Sequence, residues 1–160
     1  MLLKPDINKK MTQLMFSRGF IKNVKMEFDL NSVKQPLLVG IYFNDGTTIY
    51  MGVNDKKSIQ LIQAKKIKNR ISNKIEQPGI YKEGFKSGID YKIVVTRNAD
   101  TYTATIINKI TGSEQQVINY TDATPATTIQ SKFTGIGLGV MTGSGGVLIK
   151  NIRISSTENI

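Results

Sequence analysis

Cysteine, histidine and tryptophan are all absent from this sequence. Without cysteine there is no disulfide framework, and cysteine usage says nothing about redox compartment. Without cysteine or histidine there is no zinc site of the usual kind. The same absences remove Ser-His-Asp and Cys-His nucleophiles and a histidine general base. Long apolar runs are missing as well. The longest, residues 36–43, is far too short to span a bilayer. No secretory signal is visible, because residues 1–5 lead into polar sequence with no apolar core and no small-residue cleavage site. Acidic residues are scarce: 12 Asp and Glu stand against 22 Lys and Arg, for a formal charge of +10.

What remains is ordinary globular material. The chain has 160 residues, 39% of them hydrophobic, enough for one domain with a real core. The basic balance favours anionic partners such as acidic polysaccharide, nucleic acid or an anionic surface. The charge is uneven. Residues 65–76 (KKIKNRISNKIE) hold five basic side chains and one acidic one. This segment reads either as part of a lysine-rich composition or as a functional basic patch. For nucleic acid, net charge is the one supporting feature, since no helix-turn-helix, zinc-finger or aromatic RNA-binding motif is present. Non-specific binding at low salt is all that is expected.

Hydrophobic periodicity carries most of the structural information. From Phe20 onward the period is two: Val24, Met26, Phe28 and Leu30 share one parity, and Asn23, Lys25, Glu27 and Asp29 the other. That is a half-buried antiparallel strand. After Pro36 comes LLVGIYF, then Asn44-Asp45-Gly46, a tight-hairpin signal between two β-rich runs. Further strands are expected over residues 47–53, 58–64, 91–97, 101–110, 114–120, 133–141 and 147–154, with turn residues between them. Ile67, Ile71 and Ile75 recur every four residues, which suits a helical stripe. Their β-branching and flanking strands favour an extended or irregular excursion instead, closed by Gln77-Pro78-Gly79. Nine or ten short strands with no long helix predict an all-β, two-sheet antiparallel sandwich. The expected organisation is a lead-in at residues 1–19, irregular or an edge strand, a sandwich at 20–155 and a polar tail at 156–160.

Several stretches resemble the concanavalin A-like lectin/glucanase superfamily, which includes laminin-G-like jelly rolls. They are Gly88-Ile89-Asp90-Tyr91-Lys92-Ile93-Val94-Val95 with its hairpin partner TYTATIINKITG, then Gly135-Ile136-Gly137-Leu138-Gly139, and the closing Val147-Leu148-Ile149-Lys150-Asn151-Ile152-Arg153-Ile154. The resemblance implies two antiparallel sheets packed face to face, one of them concave. It names no ligand. The catalytic strand of laminarinase-like members reads Glu-x-Asp-x-x-Glu. Here Glu27 and Asp29 are followed by Ser32, so the acid/base partner is missing, as are the tryptophans that line sugar clefts. Glu27 and Asp29 lie about 6–7 Å apart on one strand face, which is near glycosidase spacing, but they read better as solvated strand-face charges.

The expected function is a non-catalytic carbohydrate-binding or surface-adhesion module, with a glycan that is anionic in view of the charge. The alternatives are a glycoside hydrolase or lyase domain and a structural, protein-interaction module of phage or surface-fibre type. The expected setting is extracellular or at the cell surface, within an exported bacterial protein; a cytoplasmic setting stays open because no signal is visible. The ligand-binding residues named from the sequence are Tyr42, Asn44, Tyr50, Asn54, Lys68 and Arg70. Tyr42 and Tyr50 flank the Asp-Gly turn, and an exposed tyrosine stacks on a sugar face while its hydroxyl bonds outward. Tyr91 and Tyr102 flank Asn98-Ala99-Asp100 in the same way, and cross-strand aromatic packing is the plainer reading of both pairs. Gly135, Gly137 and Gly139 share a parity and leave one strand face nearly bare, which suits close packing or ligand approach. No cofactor and no essential metal are expected. A structural calcium is the one open option, at loop aspartates among Asp45, Asp55, Asp90, Asp100 and Asp122.

Overall fold

The computed structural model describes residues 2–3, 11–20, 23–43, 45–52, 55–123, 134–141 and 143–156; for residues 3, 11–20, 67, 134 and 135 it describes backbone alone. Every regular element among them is a strand. In chain order these are β1 (Leu2–Leu3), β2 (Met11–Phe20), β3 (Asn23–Ser32), β4 (Val39–Phe43), β5 (Thr47–Met51), β6 (Ser58–Ile67), β7 (Arg70–Ile80), β8 (Asp90–Asn98), β9 (Thr101–Asn108), β10 (Glu114–Thr121), β11 (Thr134–Met141) and β12 (Val147–Ser155). They form two six-stranded antiparallel sheets. Sheet A runs β1-β12-β3-β8-β9-β10 and sheet B runs β2-β11-β4-β5-β6-β7. The all-β sandwich predicted from the alternation is therefore the fold observed.

The core lies between the sheets and follows the parity rule. Val24, Met26, Phe28 and Leu30 of β3 point inward with Ile93 and Val95 of β8 and Ala104 and Ile106 of β9. Val39, Ile41, Ile49, Met51, Ile59, Leu61, Ile136, Leu138 and Val140 answer them from sheet B. One end is closed by aromatics: Tyr81, Phe85 and Tyr91 pack at centroid distances of 5.1–6.1 Å. The other end is closed by polar groups. Asp45 accepts from the Thr47 amide at 2.9 Å and from the Tyr102 hydroxyl, and it pairs with Arg97 at 3.1 Å. Next to it Lys65 pairs with Asp122 at 2.7 Å, and Gln63 bonds Thr47, Asp122 and Tyr120. These polar groups tie sheet B to sheet A where apolar packing ends.

Two expectations need correction. The basic segment is extended and not helical, as favoured above, but it is a regular hairpin and no irregular excursion: β6 continues through it and returns as β7 by a two-residue turn at Lys68 and Asn69, whose φ angles are 49° and 64°. Two left-handed residues in sequence are the turn type that matches strand twist. A spacing of four is even, so Ile71 and Ile75 share a strand face as readily as a helical stripe. Gln77, Pro78 and Gly79 do not close the segment but lie within β7, after a bulge opposite Leu61 and Ile62. The second correction concerns the tyrosines. Tyr91 and Tyr102 do not meet across their hairpin, since Tyr91 stands opposite Asn108 and Tyr102 opposite Arg97. Tyr91 joins the aromatic end, and Tyr102 packs on Phe43 at 5.3 Å.

Candidate functional site

Alternation along β4 and β5 decides which side chains face away from the core. Val39, Ile41 and Phe43 are buried between the sheets, so Gly40 and Tyr42 point outward; Ile49 and Met51 are buried, so Thr48 and Tyr50 point outward. Register then assembles two rows across the outer face of sheet B. One row is Gly139, Gly40, Tyr50, Gln60 and Pro78; the next is Gly137, Tyr42, Thr48, Ile62 and Ile75. Neighbouring strands are about 4.8 Å apart, so each row is roughly 20 Å long.

Tyr42 and Tyr50 meet edge to face, with centroids 6.3 Å apart and ring planes at 85°. Tyr42 folds back over Gly40: a Cβ added there would collide with the Tyr42 hydroxyl and ring. Glycine at position 40 is therefore what lets the ring lie flat against the sheet. Beside it Gly137 and Gly139 add no side chain to the face, and both are themselves buried. The Tyr42 hydroxyl is enclosed and makes no hydrogen bond to a described residue. Burial pushes its pKa well above the ordinary tyrosine value, with Tyr50 adding to the shift. Along the same face, Ser58, Gln60, Pro78 and Ile80 border a shallow cleft of about 350 Å³ that Asp55 and Lys57 close at the turn between β5 and β6.

The sequence-named residues fall into separate places. Tyr42 and Tyr50 come together. Lys68 and Arg70 are exposed at the tip of the β6–β7 hairpin, about six residues past the Tyr42 row and hence roughly 20 Å from it along the strand. Asn44 and Asn54 lie outside the described residues. Sequence reasoning missed Gln60, Pro78 and Gly40 on this face. Parity with Tyr50 and Tyr42 was the available signal, but the strand pairing that brings them together is not local.

The other acids are held by structural partners. Glu27 binds Lys25 at 3.2 Å and Lys92 at 2.9 Å. Asp29 binds Lys109 at 2.9 Å and Asn151 at 2.7 Å. The bond from Lys92 holds Glu27 below the usual carboxylate range. For Asp29 burial pushes upward, but the bonds from Asn151 and Lys109 outweigh it. Neither is a proton donor near neutral pH, so the pair is not arranged for acid–base hydrolysis. The loop aspartates are also engaged: Asp45 and Asp122 as above, Asp55 with the Lys57 amide, and Asp90 with Asn31 and Lys150. Among the described residues no three acids converge as a metal would require. No helix of the described chain is long and apolar enough to cross a membrane.

No protein-family model matches the chain, and no curated protein does. Solved structures share its fold. The enzymatically active domain of tailspike protein 2 from bacteriophage CBA120 superposes with a TM-score of 0.62 at 13% identity, over 92% of this chain and 24% of that one. Sheep galectin-11 gives 0.57 at 9% identity, over 89% of this chain and 96% of the galectin. The alginate lyase of Klebsiella pneumoniae gives 0.56 at 9% identity, over 86% of this chain and 61% of the lyase. The chain thus spans about a quarter of the tailspike domain and nearly the whole galectin. Identities this low establish architecture: the fold is the concanavalin A-like jelly roll that the sequence motifs resemble.

Proposed function

We propose that this chain is a non-catalytic carbohydrate-binding module whose glycan lies across the outer face of sheet B. The observation that carries the reading is the Tyr42–Tyr50 aromatic pair on the outer face of sheet B, in register with Thr48 and Gln60. A sugar ring stacks its C–H face on an aromatic ring while polar groups beside that ring bond its hydroxyls. Gln60, Ser58 and Thr48 supply hydrogen-bonding groups along the same face, and the exposed Lys66, Lys68 and Arg70 of the hairpin supply positive charge for an acidic glycan. That proteins named as a galectin and an alginate lyase share the architecture agrees with this reading. The ion-paired state of Glu27 and Asp29 favours binding over hydrolysis.

The test is calorimetric titration of the intact chain against a panel of neutral and acidic polysaccharides. Binding is expected to at least one of them. Tyr50→Ala should weaken it about tenfold, the scale of one aromatic stacking contact, without unfolding the sandwich, because Tyr50 is outside the core. Absence of binding across the panel, or full binding by Tyr50→Ala, defeats the reading.

A further inference from the structure

The opposite face of the molecule carries a second, differently built recess. Sheet A turns its outer surface away from the core, and between β3 and β12 the pairing slips. Asp29 faces Lys150 and Glu27 faces Arg153, so three steps of β12 span two steps of β3. The slip is a bulge, and Asn151 within it adopts a left-handed φ of 56°. A bulge re-aims side chains, and here it turns the Asn151 amide onto Asp29. The result is an open cleft of about 400 Å³ lined by Glu27, Asp29, Lys92, Lys109, Asn151 and Arg153.

The polar groups of this cleft are fixed before any ligand arrives. Asp29, only 4% exposed, is its floor. Both donors to Asp29, Lys109 Nζ and Asn151 Nδ2, take the same oxygen, Oδ2. Oδ1 makes no bond to a described residue. Glu27 is gripped by Lys25 and Lys92. Arg153 makes no ion pair with a described residue and is exposed at the rim. The lining thus holds three cations and two anions, with one guanidinium unspent.

We propose that this cleft is a second binding site, separate from the tyrosine face, for an acidic sugar that carries a carboxylate. Asp29 Oδ1 accepts from ring hydroxyls, and Lys92 and Lys109 donate to hydroxyl or ring oxygens. Arg153 receives the sugar carboxylate, because its planar fork matches a carboxylate with two parallel hydrogen bonds. The bulge therefore does two things at once: it opens the recess between β3 and β12, and it aims the Asn151 amide at the buried acid.

Isotope-labelled intact protein titrated with α-1,4-linked trigalacturonate tests this by NMR. The Asn151 side-chain amide and the Arg153 Nε–H should shift along one saturable curve. The fully methyl-esterified trisaccharide should bind about tenfold or more weakly, having lost the charge-assisted bonds. Arg153→Gln, at an exposed site that leaves the fold intact, should reduce the acid to the affinity of the ester. Tyr50→Ala should leave the titration unchanged, so failure here and failure of the tyrosine-face reading are separate results. No shift at Asn151 and Arg153 up to about 10 mM, beyond millimolar single-site affinity, overturns the proposal. Equal binding of acid and ester, or the same shifts with acetate alone, overturns it too.

Discussion

Lys65 lies in the interior, paired with Asp122 57 residues away, with side-chain exposures of 8% and 3%. Two desolvated charges gain little over apolar side chains of equal size, but one of them left alone is costly. Asp122→Ala should therefore lower the unfolding free energy by about 3–5 kcal/mol, whereas Lys65→Met combined with Asp122→Leu should stay close to the parent. Urea denaturation measures both, and a mild effect of Asp122→Ala would mean that another group or water satisfies Lys65. Part of this was legible in the sequence. Thr47, Gln63 and Lys65 continue the inward parity of Ile49 and Leu61, which marks them as buried polar groups. Their long-range partners were not legible, because Asp122 reaches Gln63 and Lys65, and Arg97 and Tyr102 reach the neighbouring Asp45, only once both sheets are closed. The same holds for the candidate site. Tyr42 and Tyr50 are neighbours across one short hairpin and could be paired from sequence; Gln60 and Pro78 join them through three successive strand registers.

At the scale of the element, the β6–β7 hairpin is the instructive case. Its turn uses Lys68 and Asn69 where Asn-Gly would fit two left-handed residues best. Replacing them by Lys68→Asn and Asn69→Gly should raise stability by about 1 kcal/mol, and Asn69→Val should lower it by about 1–2 kcal/mol. Thermal melts of the three proteins would show the order, and a neutral Asn69→Val would mean that the turn has another geometry. Because that turn carries neither glycine nor proline, its sequence does not announce a hairpin. By contrast β8 and β9 alternate between buried and more exposed positions, as does β3 up to the buried Asp29, and their existence was plain before the fold was known. The bulges in β7, β10 and β12 were invisible, since a bulge is a property of two strands and not of one.

For the whole molecule, titration sets a stability window. The Lys92, Asn31 and Ser113 bonds hold Glu27, Asp90 and Glu83 below the ordinary carboxylate range, and Asp29 is held there by Asn151 and Lys109 against its burial. A depressed native pKa gives stability that is complete above the unfolded value and fades as pH falls below about 4. Burial pushes Tyr42, Tyr81, Tyr91 and Tyr102 upward, and with Glu76 and Asp122 nearby it pushes Tyr120 up to about 12. A raised native pKa gives stability that is complete below the unfolded value and is lost as pH climbs from about 10 through 12. The melting temperature should accordingly form a plateau between about pH 5 and 9.5 with a fall on each side. A flat profile from about pH 9 to 11.5 would mean that the tyrosines ionise freely in the native state.

The far rim of sheet B has one more consequence. Beyond Gln77, which reaches Asn119 of β10, the outer edge of β7 has no strand beside it among the described residues, and Arg70 and Lys74 lie along it. Two copies aligned rim to rim would set like charges against each other, so repulsion joins the β7 bulge and Pro78 in defending the open ladder against ribbon-like self-association. Repulsion is erodible: at about 1 M salt the screening length shrinks to roughly 3 Å. Light scattering should then report larger particles in concentrated salt and monodisperse protein at low ionic strength, and Arg70→Glu with Lys74→Glu should reverse the pattern against the wild-type chain by turning mutual avoidance into attraction.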